Sequence, residues 1–233
     1  MNEQYTSRQY IVWHDDVIVK QFISYAVGCM MGRYSIDKPG LILANQGDGV
    51  KEYEALVPNS RFEIDDDGII PLMASNTDFA DNATVRFKKW LAVVLGEERL
   101  VENLNTIEAA LGKSIDDFFV KDFWKYHKKM YQSRPIYWLF SSKKGAFKCI
   151  AYMHRMTPYT AEQIRTKYLL PHIEWLVQKQ SEMEENAASL STAERREYHD
   201  RLHEVADKQI AFDLDDGVVV NYAKFGDVLQ KLK

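Results

Sequence analysis

The residues best able to do chemistry here are cations. Eleven Lys and Arg side chains fall between positions 121 and 170: Lys121, Lys125, Lys128, Lys129, Arg134, Lys143, Lys144, Lys148, Arg155, Arg165 and Lys167. Only two acids, Asp122 and Glu162, share that segment, which therefore carries +9 while the remainder carries −13 of the chain's net −4. The same stretch holds 11 of the 29 aromatic residues. Cations interleaved with aromatic rings are the composition of a phosphate-facing surface. An apolar stripe of aromatics backed by a lysine-rich outer face would have the same composition. On the first reading Lys125, Lys128, Lys129, Lys143, Lys144 and Lys148 meet phosphates, which position a duplex without reading it. Gln132, Arg134 and Arg155 are the neighbouring side chains that could address base edges. The expectation is a single positive platform.

Other chemistry is thinner. Asp213, Asp215 and Asp216 form the densest acid cluster and could hold a divalent metal beside a nucleic-acid backbone. A solvated turn capping the last helix accounts for them more simply. The run Asp65-Asp66-Asp67-Gly68 lacks the alternating oxygen ligands and terminal Glu of an EF-hand, so it reads as a turn. His127 and His154 read as polar side chains at a basic surface. Cys29 and Cys149 sit in apolar stretches and read as buried reduced thiols of a cytosolic protein. No Cys-x-x-Cys pair, nucleophile elbow or phosphate-cradling glycine loop is present. A binding or recognition module fits better than an enzyme.

The elements that must carry these residues follow from periodicity. Val17, Ile18, Phe22, Tyr25, Ala26, Cys29 and Met30 recur at helical steps, with Gly28 and Gly32 permitting close packing. Residues 41–75 read as a loop-rich connector with short strands at 41–43 and 69–72. Three helices follow over 78–131, stopped by Gly96, by Gly112 and by Arg134-Pro135, the third capped by Ser114. Residues 136–140 and 146–153 form a hairpin with Lys143 and Lys144 at its tip. A long helix from Thr160, with Thr160 and Gln163 as a capping box and Pro171 as a kink, folds back on a charged helix over 191–210. An extended piece over 212–222 and a short helix over 225–232 complete the chain. The predicted class is α+β, predominantly helical: a helical N-terminal part, a central β-hairpin and a long antiparallel helical hairpin. It divides as 1–76, 77–159 and 160–233, folded as one compact unit.

With 233 residues, 46% hydrophobic and 27% charged, the chain has globular composition. It contains no apolar run of membrane-spanning length. Its first 16 residues lack the order of a signal peptide, so a cytoplasmic, membrane-free protein is expected.

Three strings carry a family resemblance. Residues 22–35, Phe-Ile-Ser-Tyr-Ala-Val-Gly-Cys-Met-Met-Gly-Arg-Tyr-Ser, continue through Asp37-Lys38-Pro39-Gly40-Leu41. Residues 134–142, Arg-Pro-Ile-Tyr-Trp-Leu-Phe-Ser-Ser, are followed by Tyr152-Met153-His154-Arg155. Residues 210–226 include Asp213-Leu214-Asp215-Asp216-Gly217 and Asn221-Tyr222-Ala223-Lys224-Phe225-Gly226. In order and spacing these resemble the C-terminal region of the PglX family, adenine-specific DNA methyltransferases of bacteriophage-exclusion (BREX) defence systems. The resemblance runs over about residues 17–233. The Asn/Asp-Pro-Pro-Tyr/Phe motif that grips a flipped adenine is missing, the nearest string being Val57-Pro58-Asn59-Ser60. So is the glycine-rich S-adenosylmethionine motif. The resemblance therefore implies a part lying outside the methyl-transfer pocket, with no catalytic residue carried over and no cofactor of its own; S-adenosylmethionine is implied for the full-length family. It implies a partner in duplex DNA. The alternative is a scaffold that docks the N-terminal methyltransferase domain or other defence-system proteins.

Overall fold

A computed structural model describes residues 14–142, 144–185 and 191–213. In chain order these form α1 (Asp15–Met30), α2 (Val50–Leu56), β1 (Ile69–Pro71), α3 (Ala83–Leu95), α4 (Leu100–Leu111) and α5 (Ile115–Asp117). A π-type turn (Phe118–Asp122) joins α5 to α6 (Phe123–Met130). Then come β2 (Tyr137–Ser141), β3 (Lys148–Tyr152), α7 (Thr160–Gln163), a second π-type segment (Ile164–Leu169), α8 (Leu170–Glu185) and α9 (Thr192–Asp213). The α+β, predominantly helical class holds. The hairpin tip residue Lys143, the Asp213/Asp215/Asp216 carboxylates and the elements expected beyond residue 213 lie outside the described side chains.

A small sheet organises everything else. β3 is its centre, with β1 and β2 antiparallel on either side. Side chains alternate across a strand, so β3 serves two cores. Ile150 and Tyr152 face one layer, with Ile70 from β1 and Tyr137 from β2. That layer is built from α1, α3, α4 and the bent α5–α6 helix. Cys149 and Ala151 face the other, with Ile69, Phe147, Tyr168, Leu176 and Val205. Being covered on both faces, β3 reads as a continuous apolar run. Pro71, which has no N–H to give a ladder, sits on an edge strand.

Local signals explain most boundaries. Asn82 caps α3, its side chain accepting from Val85 N at 2.9 Å. Ser114 caps α5 as expected, accepting from Asp117 N at 3.1 Å. Gly112 ends α4 in the left-handed conformation that only glycine adopts freely. Gly28 lies flat against the Tyr34 ring, where any side chain would collide.

Four expectations need correcting. Residues 41–43 form no strand, since their N–H groups pair instead with the end of α1: Ile42 N bonds Arg33 O and Leu43 N bonds Gly32 O. The connector contains a helix, α2, whose Glu52 side chain accepts from Gly49 N at 2.7 Å. The Thr160 capping box does not form; the hydroxyl turns outward from the helix and accepts from Thr157 N at 2.8 Å. Pro171 follows a π-type segment rather than a sharp kink: the widened turn relieves the clash between the proline ring and the carbonyl four residues earlier.

Candidate nucleic-acid interface

The bent helix α5–α6 presents the cations. Lys121, Lys125, Lys128 and Lys129 recur at three- and four-residue steps and so share one face. Opposite them Phe118, Phe119 and Phe123 are buried in the first core. Lys121 is paired with Asp117 at 2.5 Å. Lys125, Lys128 and Lys129 are exposed and have no ion-pair partner among the described residues.

The hairpin adds a fourth cation from beneath. Lys148 on β3 is half-buried, and its ammonium donates to Val120 O at 2.5 Å. That carbonyl belongs to the π-type turn, where the helical ladder is interrupted. Burial lowers the Lys148 pKa, and the charges of Lys125 and Lys121 lower it further. Three lysines from two elements are thus close enough to repel one another.

Helix α6 ends in an unusual turn. Gln132 and Ser133 both adopt positive φ, at 50° and 64°. Their N–H groups close the helix on Lys129 O and Lys128 O at 3.0 and 2.8 Å. The turn throws Gln132 and Arg134 out beside the lysine face, and both are exposed.

The rest of the cationic segment does not join that face. Lys144 is exposed, but its backbone N–H donates to Glu204 Oε1 at 2.5 Å, so a carboxylate of α9 sits on the hairpin tip. Arg155 is buried and spends its guanidinium on main-chain carbonyls, donating to Asp65 O and Asp66 O, each at 2.7 Å. It clamps a loop and cannot reach a duplex. Lys167 pairs with Asp67 at 3.0 Å, and Arg165 with Glu162 at 3.3 Å. The expected single platform is therefore a smaller one: the α6 face, Lys148 and the Gln132–Arg134 turn.

The acidic loop is a structural joint. Asp65 is fully buried; its Oδ1 accepts from Gly68 N and Ile69 N at 2.5 and 3.0 Å, and its Oδ2 meets Arg86 at 2.7 Å. Oxygens of Asp65, Asp66 and Asp67 lie near enough to share a cation, and Arg86 and Lys167 already supply that charge. His127 also departs from expectation. It is fully buried, stacked on Tyr137 at 4.5 Å and near Tyr131 at 4.6 Å between ring centroids, and neither ring nitrogen has a hydrogen-bond partner. Burial, with Arg33 nearby, pushes its pKa down to about 4. Cys29 and Cys149 are free and buried, as expected.

The strings that carry the family resemblance converge on one joint. Arg33, from the first string, donates to the Tyr152 hydroxyl at 3.1 Å. That hydroxyl donates to Leu43 O at 2.6 Å. Over 98% of its length the chain is 40% identical to the adenine-specific methyltransferase BrxX of Escherichia coli O9:H4 (strain HS). Over 88% it is 39% identical to the adenine-specific methyltransferase PglX of Lacticaseibacillus casei (strain Zhang). The chain matches a part of the BrxX and PglX methyltransferases. It spans about a fifth of these relatives, 22% and 19% of their lengths, consistent with a C-terminal region. No protein-family model matches it. The first two PglX-like strings lie mainly at the Arg33–Tyr152 joint and in β2; Arg134 alone of the exposed α6 cations and their neighbours belongs to one. The resemblance therefore records the packing more than the charged face.

Proposed function

We propose that the chain is a non-catalytic, DNA-engaging part of an adenine-specific DNA methyltransferase acting in phage defence. The observation that carries this reading is the exposed face of Lys125, Lys128 and Lys129, three cations within about one helical turn and without carboxylate partners among the described residues. Such a face gains by meeting phosphates, because each contact releases condensed counterions. Gln132 and Arg134 stand at its edge with donors suited to base edges. The motifs for gripping an adenine and for binding S-adenosylmethionine are absent from the sequence, so methyl transfer is assigned to the remainder of the protein.

Titration of the chain with a short duplex across salt concentrations tests this. Binding strengthens at low salt, and Lys128→Glu combined with Arg134→Glu weakens it at least tenfold. The same double change makes the log-log salt slope shallower by about 2, roughly 0.9 per lost phosphate contact. An absence of binding at low salt, or indifference to the double change, removes the reading.

A second reading, a docking scaffold, is favoured by Glu204 covering the hairpin tip and by the −13 carried outside the cationic segment. Tight association with the separately produced methyltransferase portion, unaffected by the same double change, selects it.

A further inference from the structure

On its α1 side the lysine face drops into an open cleft of about 410 Å³. Four ammonium groups line it: Lys20 from α1, Lys113 from the turn after α4, and Lys125 and Lys129 from α6, with Asp122 as the lone carboxylate. Two of these cations are already neutralised. Lys113 meets Asp122 at 2.5 Å, and Lys20 meets Asp16 at 2.8 Å. Lys125 and Lys129, one turn apart, have no such partner among the described residues. Like charges held together raise the energy of the charged site, and an anion between them lowers it.

Charge is only half of the lining. Leu111, Phe118 and Tyr126 supply an apolar and aromatic wall. An inorganic anion gains nothing from that wall; a nucleoside does, because its base and sugar present flat, weakly hydrated surface to an aromatic ring. The volume falls within the range of small-molecule sites. We propose that this cleft seats one nucleotide unit, its phosphate between Lys125 and Lys129 and its nucleoside against Tyr126. The site goes beyond the duplex reading, which needs only a charged face. Lys20 and Lys113 hold the rim, and their carboxylate partners keep the net charge low enough for the empty cleft to persist.

A free nucleotide and an unpaired nucleotide of a strand offer this same chemistry. The test titrates the full 233-residue chain at low salt with inorganic phosphate, with deoxyadenosine monophosphate and with a short single-stranded oligonucleotide. The nucleotide or the oligonucleotide should bind at least tenfold more tightly than phosphate. Saturation by the monophosphate identifies a free-nucleotide site; saturation by the oligonucleotide alone identifies a strand site. Lys125→Glu with Lys129→Glu should weaken either ligand more than tenfold, and the corresponding Ala pair serves if the Glu pair does not fold. Tyr126→Leu should cost several-fold in nucleotide affinity and less than twofold in phosphate affinity. Phosphate binding as tight as nucleotide binding, or a Tyr126→Leu variant with an unchanged nucleotide-to-phosphate ratio, overturns the proposal. Duplex binding without nucleotide binding overturns the seat alone; nucleotide binding without duplex binding overturns the duplex reading alone.

Discussion

At the scale of single residues, His127 makes the fold acid-sensitive. Its neutral ring is wholly enclosed by Phe123, Tyr131 and Tyr137, and its pKa is pushed down to about 4. In the unfolded chain a histidine titrates near 6.5. Between those values the unfolded state binds more protons, so stability is intact above about pH 6.5 and falls as pH drops toward 4. The full loss is on the order of 3 kcal/mol, because each tenfold difference in proton affinity between the two states is worth about 1.4 kcal/mol. His127→Phe keeps an aromatic ring and removes the proton site; its acid-unfolding midpoint, read by circular dichroism, should move to lower pH. The sequence places this histidine beside lysines and hides the enclosure, because the rings that surround it come from β2 as well as from its own helix. Arg155 misleads in the same way: its type and neighbours suit base reading, and only the tertiary structure sends its guanidinium to Asp65 and Asp66 carbonyls.

At the scale of elements, the turn after α6 is the informative case. Gln132 and Ser133 occupy left-handed backbone that favours glycine, and each costs on the order of 1 kcal/mol or more there. Ser133→Gly should therefore raise thermal stability by about 0.5–1 kcal/mol in calorimetry. It should also loosen the placing of Arg134, so duplex affinity should fall slightly while stability rises. The lysine stripe is legible from the sequence because it needs only helical spacing, and the hairpin because its strands are local. Lys20 and Lys113 are not legible as part of the same site. They come from other elements, and nothing in their local sequence marks the cleft that they share with Lys125 and Lys129. The short helix α2 escapes a reading of the sequence for a related reason: its glycine N-cap, Gly49, resembles a turn signal until Glu52 is seen to close on it.

At the scale of the molecule, the three-stranded sheet separates two cores that share a wall. Phe87 is buried in one and Leu176 in the other. Phe87→Ala should cost about 3–5 kcal/mol and Leu176→Ala about 2–5 kcal/mol. As the two side chains belong to different clusters, the double variant should lose close to the sum in denaturant unfolding, within about 0.5 kcal/mol. A much larger coupling would mean that the sheet transmits strain between its faces. The class is readable because it depends on periodicity, whereas the layered arrangement depends on β1 finding β3 some eighty residues later. The central strand carries one more implication. Inserting a single amino acid within β3 would rotate Ile150 and Tyr152 into the space now lined by Cys149 and Ala151, and both compartments would be mis-filled by one genetic event. The exposed turn at Ser142–Gly145 sits in the same hairpin, yet lengthening it leaves that alternation untouched.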